Sequence, residues 1–405
     1  MSMFFKNNSL LALAALPTIS GAWILNSGIE FPGAFQWGRS ISLNGAGDIL
    51  AVATQPGGYI RVYEETSPKT WAQKGSQISS AALGSIGGFA QQISISDDGL
   101  SFVVGSPDHN SKAGIVQVWK WSGSDWIPKG SNNAAVANPS LSGVSAEYFG
   151  SSVDINNDGD VIVVAASGNS DSAARAGQVR VFKWTGSTWS QLGGDIEGGV
   201  ANNNFGFSVA INGSGNIVAA STPRDNSNTG HVRAYQITGS TWNQLGSDID
   251  GSSTGEEFGY DVDINHSGDV MVVGSLKFED AGALFSYEWD GSSWSQRGET
   301  IKGGHPFYST TLGHSVSISD SGNIIAGGAP SGYDNTTNQY IAGHTVSYQF
   351  IDSVWKKKGD TIYGDNNGDH FGWDVNLSNS GDRIAISAPM ALNNSGIVKV
   401  LDFEG

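Results

Sequence analysis

The chain has 405 residues, no cysteine, and 38 acidic against 21 basic residues, for a formal charge of −17. With no run of Lys or Arg, that balance repels phosphate backbones and sets nucleic acid aside as a partner. The missing cysteine removes disulfide frameworks, thiolate metal sites and Cys nucleophiles together.

In chain order, Lys6 precedes an apolar run from Leu10 to Leu16, then Pro17 and the small residues Ser20 and Ala22. This is the pattern of a secretory signal peptide over residues 1–22, processed after Ala22. The apolar run is far shorter than the ~20 residues a bilayer span needs, and no other stretch is longer, so no transmembrane span is predicted. The reading is a secreted or extracellular protein, with the periplasm as the alternative compartment. Asn212, Asn265, Asn335, Asn376 and Asn393 would then be exposed N-glycosylation acceptors in a eukaryotic host.

From residue 23 onward one outline recurs. It opens on an aromatic-Gly pair or a close variant: Trp37-Gly38, Phe89-Ala90, Phe149-Gly150, Phe205-Gly206, Phe258-Gly259, Leu312-Gly313 and Phe371-Gly372. Successive copies begin 52, 60, 56, 53, 54 and 59 residues apart, a period that marks a repeat architecture. An alternating segment follows, then turns such as Asn44 to Gly47 and Asn156 to Gly159, and then an apolar run such as Val161 to Ala166. Next comes Gly-x-Val-x-Val-aromatic or a variant, beginning at Gly58, Gly114, Gly177, Gly230, Gly282, Gly343 and Gly396. A last segment carries one Trp: Trp23, Trp71, Trp126, Trp189, Trp242, Trp294 and Trp355.

Period-two alternation with frequent turn signals predicts four antiparallel strands per copy and no helix. Seven copies predict an all-β, seven-bladed β-propeller over residues 23–405. An array of β-sandwiches is the alternative, but each would need about 100 residues. Trp23 stands before the first aromatic-Gly pair, so Trp23 to Ile29 is predicted to supply the fourth strand of the blade formed by residues 371–405. That pairing closes the ring and removes its open edge. The turns read as structural hairpins, with Gly in the left-handed region.

The aromatic-Gly pair, together with second-strand endings such as Gly328-Ala329-Pro330 and Ser387-Ala388-Pro389, resembles the FG-GAP repeat of integrin alpha-subunit propellers. The resemblance covers residues 23–405 and implies an extracellular ligand-binding or cell-adhesion module, often with calcium in the loop between the first two strands. In the calcium pattern this chain offers Asp154, Asn156, Asp158 and Gly159, but Ile162 stands at the closing acidic position. Met271 replaces it after Asp263, Asn265, Ser267 and Gly268. These loops are short of carboxylates for a cation that prefers six to eight oxygens, so calcium is disfavoured and no cofactor is expected.

The seven histidines show no metal-ligand spacing and read as mostly solvated loop residues. A carboxylate pair drawn from Glu256, Glu257, Asp365 and Asp369 would suit a polysaccharide-acting enzyme, a lyase or glycosidase, but a solvated acidic rim is the plainer reading. Arg39, Gln91, Ser151, Phe207, Tyr260, His314 and Trp373 follow the aromatic-Gly pairs near the channel mouth. By parity they are assigned to packing between blades rather than to a ligand ring. The loops after strands two and four vary most in length and share one face, which makes that face the predicted binding surface. Its candidate residues are His305, Phe307, Tyr308, Tyr333, Asp334, Asp365, Asp369 and His370. The function expected is a monomeric adhesion or ligand-binding propeller recognising a protein or carbohydrate at a cell surface or matrix. A polysaccharide-acting enzyme and a structural repeat protein are the alternatives.

Overall fold

The apolar run of every repeat becomes the second strand of a four-stranded antiparallel sheet. In the computed structural model, which describes residues 18–31, 35–55, 58–80, 90–130, 141–304, 308–334, 339–340 and 342–405, these strands include Ile49–Thr54, Val161–Ala166 and Val270–Ser275. Both of their faces are buried, because each sheet is covered by a neighbour on either side. Seven such sheets form the ring of a seven-bladed β-propeller, six of them running inside to outside in sequence order and the seventh taking its outer strand from the N-terminal part of the chain.

We number the blades by their innermost strands: Trp37–Leu43 (blade 1), Gln92–Ile95 (2), Phe149–Ile155 (3), Val209–Ile211 (4), Phe258–Ile264 (5), Ser315–Ile318 (6) and Val375–Leu377 (7). The core is divided into layers between adjacent blades. Val103, Val116 and Val118 of blade 2 meet Phe149, Val153 and Ile162 of blade 3, for example.

Ring closure follows the predicted phase. Ala22–Glu30 pairs antiparallel with Ile397–Glu404, setting Trp23 opposite Phe403, and so becomes the outer strand of blade 7. Thr18–Ile19, inside the predicted leader, runs parallel to Lys357–Lys358 at the edge of blade 6. Residues 1–17 of that leader lie outside the described residues.

Three recurrent contacts explain the repeat's signature residues. The outer-strand Trp staples neighbouring blades: its indole N–H donates to the carbonyl of Lys74 (from Trp126, 2.8 Å), Lys129 (Trp189, 3.0 Å), Leu192 (Trp242, 2.8 Å), Leu245 (Trp294, 3.1 Å), Arg297 (Trp355, 2.8 Å) and Lys358 (Trp23, 3.0 Å). At the closing seam Trp71 donates instead to the Asn26 side chain at 2.9 Å. The Gly opening strand three is needed for close approach. A Cβ on Gly114, Gly177 or Gly230 would collide with the backbone carbonyl of Phe149, Phe205 or Phe258 in the next blade. Third, the Gly of the aromatic-Gly pair has φ of +82 to +89° in six blades, and Ala90 holds +61° in blade 2.

The chain departs from a pure strand-and-turn reading in two places. His109–Lys112, Asp225–Asn228 and Ala391–Asn394 form single turns whose inner residues are left-handed, as at Asn226 (φ 47°) and Ser227 (φ 61°). Their last carbonyls receive the next blade, with Tyr148 N donating to Lys112 O (2.8 Å) and Glu257 N to Asn228 O (2.9 Å). The long loops flanking blade 6 also carry a small sheet of their own, Tyr308–Thr310, Gly332–Asp334 and Gln339–Tyr340. Among the described residues no helix is long and apolar enough to cross a membrane.

The expected exposure of the glycosylation acceptors is overturned at three of the five. Asn212 and Asn265 are 2% and 3% exposed, since each side chain caps its own turn by accepting backbone N–H groups. Asn376 faces the channel and accepts Leu43 N at 2.8 Å. Asn393 is exposed, and Asn335 lies outside the described residues.

Candidate functional site: the channel mouth

The innermost strands surround a cavity of about 420 Å³. Its wall is set by a problem of hydrogen bonding: an innermost strand has no further strand to pair with, so its outward N–H groups need other acceptors. Side chains of the preceding blade supply them. Ser40 and Ser42 accept from Ile93 N (3.2 Å) and Ile95 N (3.0 Å), and Ser152 accepts from Val209 N (3.1 Å). Ser315 and Ser317 accept from Val375 N (3.1 Å) and Leu377 N (3.0 Å).

Four aspartates do the same work. Asp154 accepts Ile211 N, Asp261 accepts Val316 N and Asp374 accepts Ile41 N, each at 2.8 Å, and Asp263 accepts Ile318 N at 2.9 Å. They are enclosed by protein apart from the face they show to the bore, and desolvation pushes their pKa values up from 3.8: to about 6 for Asp154 and Asp374, about 7 for Asp261 and about 8 for Asp263. The second oxygens are used as well, Asp154 by Ser94 (2.6 Å), Asp261 by Ser208 (2.7 Å) and Asp374 by Ser315 (3.1 Å). These carboxylates therefore read as blade-to-blade ties.

At the end where strands one and two are joined, the second residue of each turn points to the axis. Gly45 N donates to Asp97 O, Asp97 N to Asn157 O, Asn157 N to Gly213 O and Gly213 N to His266 O, while Asp320 N donates to Asn379 O and Asn379 N to Gly45 O, all between 3.0 and 3.3 Å. Side-chain bonds fill the middle: Asn379 Nδ2 to Asp97 (2.7 Å) and Asn157 Nδ2 to His266 Nδ1 (2.8 Å) each skip a blade, and Asn157 Nδ2 also reaches the Asp97 carboxylate of the neighbouring blade. Asp97, His266 and Asp320 come close enough for a cation to bridge, as do His231, Asp248 and Asp250. Asp97 already has two amide partners, Asp248 pairs with Arg233 (2.9 Å), and His231 bonds Asp225 (2.8 Å).

The opposite end, on the face of the variable loops, carries the residues that parity had assigned to interblade packing. That assignment is corrected by the structure. Between Trp37 and Ser40 the register with strand two slips, and it slips likewise between Phe149 and Val153 and between Phe258 and Asp261. In each case the ladder breaks at the positive-φ Gly, so regular alternation does not carry across, and bulges of this kind re-aim side chains. Arg39, Ser151, Phe207, Tyr260, His314 and Trp373 consequently line the cavity, all half-buried. Gln91 is bonded instead to Asp108 (2.6 Å).

These side chains form a continuous arc over five blades. The Arg39 guanidinium lies 4.3 Å from the Trp373 ring centre, Trp373 is 4.6 Å from His314, His314 is 5.3 Å from Tyr260, and Tyr260 is 5.3 Å from Phe207. Arg224 sits over Phe207 at 5.6 Å, and His370 stacks on Trp373 at 5.9 Å with 16° between planes. Burial lowers the His314 pKa to about 4 despite the opposing hydrogen bond to the Trp373 carbonyl, and the Arg39 charge adds to the lowering, so the ring is neutral near pH 7. Its Nδ1 lies 2.9 Å from the Trp373 carbonyl and must be the donor there, which leaves Nε2 as an acceptor. The expectation of solvated histidines thus fails for His314, and also for His231, which is 2% exposed.

No protein-family model matches the chain, and no curated protein matches it.

Of the eight residues predicted from the loops, His370 reaches the arc. Asp365 pairs with Lys399 (2.7 Å) and Asp369 accepts Asn366 N (3.1 Å). The backbones of Tyr308, Tyr333 and Asp334 belong to the small sheet of blade 6, with Tyr308 opposite Asp334, while His305 and Phe307 lie outside the described residues. Glu256 caps its own loop by accepting Ser252 N and hydroxyl (2.5 and 3.0 Å), and Glu257 pairs with Lys277 at 2.5 Å. A readable signal for the arc did exist: the position after each aromatic-Gly pair differs in chemistry in every copy, whereas its neighbours repeat.

Proposed function

We propose that this propeller is a recognition module of the FG-GAP kind that binds a ring-bearing ligand, a glycan in preference to a protein loop, at the channel mouth on its variable-loop face. The observation that carries this reading is the unbroken arc from Trp373 through His314 and Tyr260 to Phe207, whose rings remain half-exposed to a concave cavity. Aromatic faces bind apolar sugar faces, and polar groups at the rim satisfy hydroxyls. An extracellular or surface setting and a role in adhesion belong to the same proposal and rest on the leader-like segment and the repeat signature. Binding is favoured over hydrolysis because the bore carboxylates Asp154, Asp261 and Asp374 have both oxygens engaged in bonds between and within blades.

The test is a glycan array alongside pull-down with matrix proteins, with tryptophan fluorescence to follow titration. Trp373→Ala and Tyr260→Ala should abolish capture while leaving the melting temperature near that of the parent. Capture that survives both variants, yet is lost on altering Asn379 or His266 at the far end, would transfer the site to the opposite face.

A further inference from the structure

We infer that the ligand of this mouth is an acidic oligosaccharide, whose carboxylate or sulfate groups are taken by Arg39 at one end of the aromatic arc and by Arg224 at the other. The inference rests on the preceding reading of the mouth as a binding site and adds the ligand's charge.

The first ground is an unspent cation. In a chain of charge −17, three half-buried guanidiniums find acids: Arg180 meets Glu147 (2.8 Å), Arg233 meets Asp248 (2.9 Å) and Arg383 meets Glu65 and Asp402 (2.5 Å each), while Arg61, over the Trp37 ring, bonds Gln77 (2.7 Å). Arg39 has no carboxylate in ion-pair reach among the described residues, and its Nε is buried without a hydrogen-bond partner. Burial alone moves its pKa, downward from the ordinary value, with no neighbouring charge offsetting that. A desolvated, unpaired cation is costly, and at a residue that lines an open cavity a partner arriving from outside would relieve that cost.

The second ground is orientation. The guanidinium lies over the Trp373 ring at 4.3 Å and lines the cavity, and no ion pair engages it among the described residues, so its N–H groups remain for a carboxylate or sulfate, which Arg grips through paired bonds. His370, on the same Trp373, likewise has a buried Nδ1 without a partner. Two side chains that each carry a buried, unpartnered nitrogen therefore pack on one ring, Trp373, which lines the cavity.

The third ground is extent. Arg39 belongs to blade 1, and the rings that follow it come from blades 7, 6, 5 and 4, ending at the exposed Arg224 over Phe207. A single sugar would meet one or two of these rings, whereas a short chain of acidic sugars would meet them all and reach both arginines.

The experiment titrates the full chain, by calorimetry and tryptophan fluorescence, with an oligogalacturonate, a heparin-derived sulfated oligosaccharide, a neutral cello-oligosaccharide and a poly-glutamate peptide. Binding of either acidic sugar, weakened by salt and by about tenfold or more in Arg39→Ala with partial rescue by Arg39→Lys, is the expected result, one charge-assisted bond being worth at least that factor. The two acidic probes separate carboxylate from sulfate. Equal binding of the neutral sugar, unaffected by Arg39→Ala but lost in Trp373→Ala, overturns the charge assignment and leaves the mouth standing as a binding site. Preferential binding of poly-glutamate overturns the sugar assignment. Failure of all four probes, with Trp373→Ala also without effect on capture from the glycan array, removes both readings together. Melting curves of each variant separate loss of binding from loss of fold.

Discussion

Asp263→Asn should stabilise this protein at alkaline pH and do little at acid pH. The Asp263 carboxyl accepts Ile264 N (2.8 Å) and Ile318 N (2.9 Å), yet it is enclosed and faces the charges of Asp154 and Asp261, so its pKa is pushed up from 3.8 to about 8. In that interval the folded protein holds a proton that the unfolded chain has released. Stability from this group therefore falls as pH rises above the unfolded value and levels off above the folded one. A full conversion at about 1.4 kcal/mol per unit would overstate the effect, because the side chain is half-exposed to the bore; discounting for that screening leaves about 2 kcal/mol. Asn suits the position, since Asn376 occupies the equivalent site of blade 7 and accepts Leu43 N at 2.8 Å. Urea denaturation at pH 5 and pH 9 measures the difference. The variant should gain about 2 kcal/mol over the parent at pH 9 and little at pH 5. A parent whose stability does not fall between these two values, or a variant that loses stability equally at both, would refute the account of the bore carboxylates.

Trp23→Ala tests the closure: its half-buried indole donates to Ser347 (2.9 Å) and Lys358 O (3.0 Å), so the loss should be about 2–3 kcal/mol, below the roughly 3–5 kcal/mol expected for the fully buried Trp355→Ala. Equal melting temperatures for Trp23→Ala and the parent would mean that the seam carries no load. Ala90→Gly should raise stability by about 0.5–1 kcal/mol, because Ala90 is the non-Gly copy of a position held at φ +61°, and a fall would show that its methyl packs well enough to outweigh the strain. Millimolar calcium should shift the melting temperature little, since Asp154 and Asp263 already accept backbone N–H groups and Asn156 caps its own turn at Val161 N (2.8 Å); a rise of many degrees reversed by chelator would show a site assembled by rearrangement of these loops.

The ring was readable from sequence because each of its rules is local and recurs seven times. Alternation, the Gly of strand three and the outer-strand Trp all answer to contacts that every blade makes with the next, so chance resemblance in one copy is averaged away. The offset of Trp23 was enough to place the N-terminal strand in blade 7. The arc was not readable by the same means. The ladder breaks at Gly38, Gly150 or Gly259, so the regular alternation on which inside and outside are assigned does not extend across that point, and nothing in a single strand's alternation announces a bulge. Nor does spacing tell that the bore serines and aspartates accept N–H groups from the next blade, a contact between residues some 53 to 60 positions apart.

The two ends of the channel differ for one reason, which also says where variation is tolerated. At the turn end, backbone bonds run from blade to blade around the axis, and the second turn residue has little freedom: a Cβ on Gly213 would strike the His266 ring, and one on Gly45 would lie 2.6 Å from the Asn379 amide and 2.8 Å from the Asp97 carboxyl. Every substitution there disturbs a neighbour that is itself bonded onward. At the mouth, the bulge lifts the residue after the aromatic-Gly pair out of the ladder, so its side chain is not needed to complete the strand pairing. Arg, Ser, Phe, Tyr, His and Trp can then occupy equivalent positions without altering the ring that carries them. A scaffold that fixes one end and frees the other permits the mouth to be rebuilt for a new ligand at little cost in stability, and a charge change at Arg39 should for that reason move affinity far more than melting temperature.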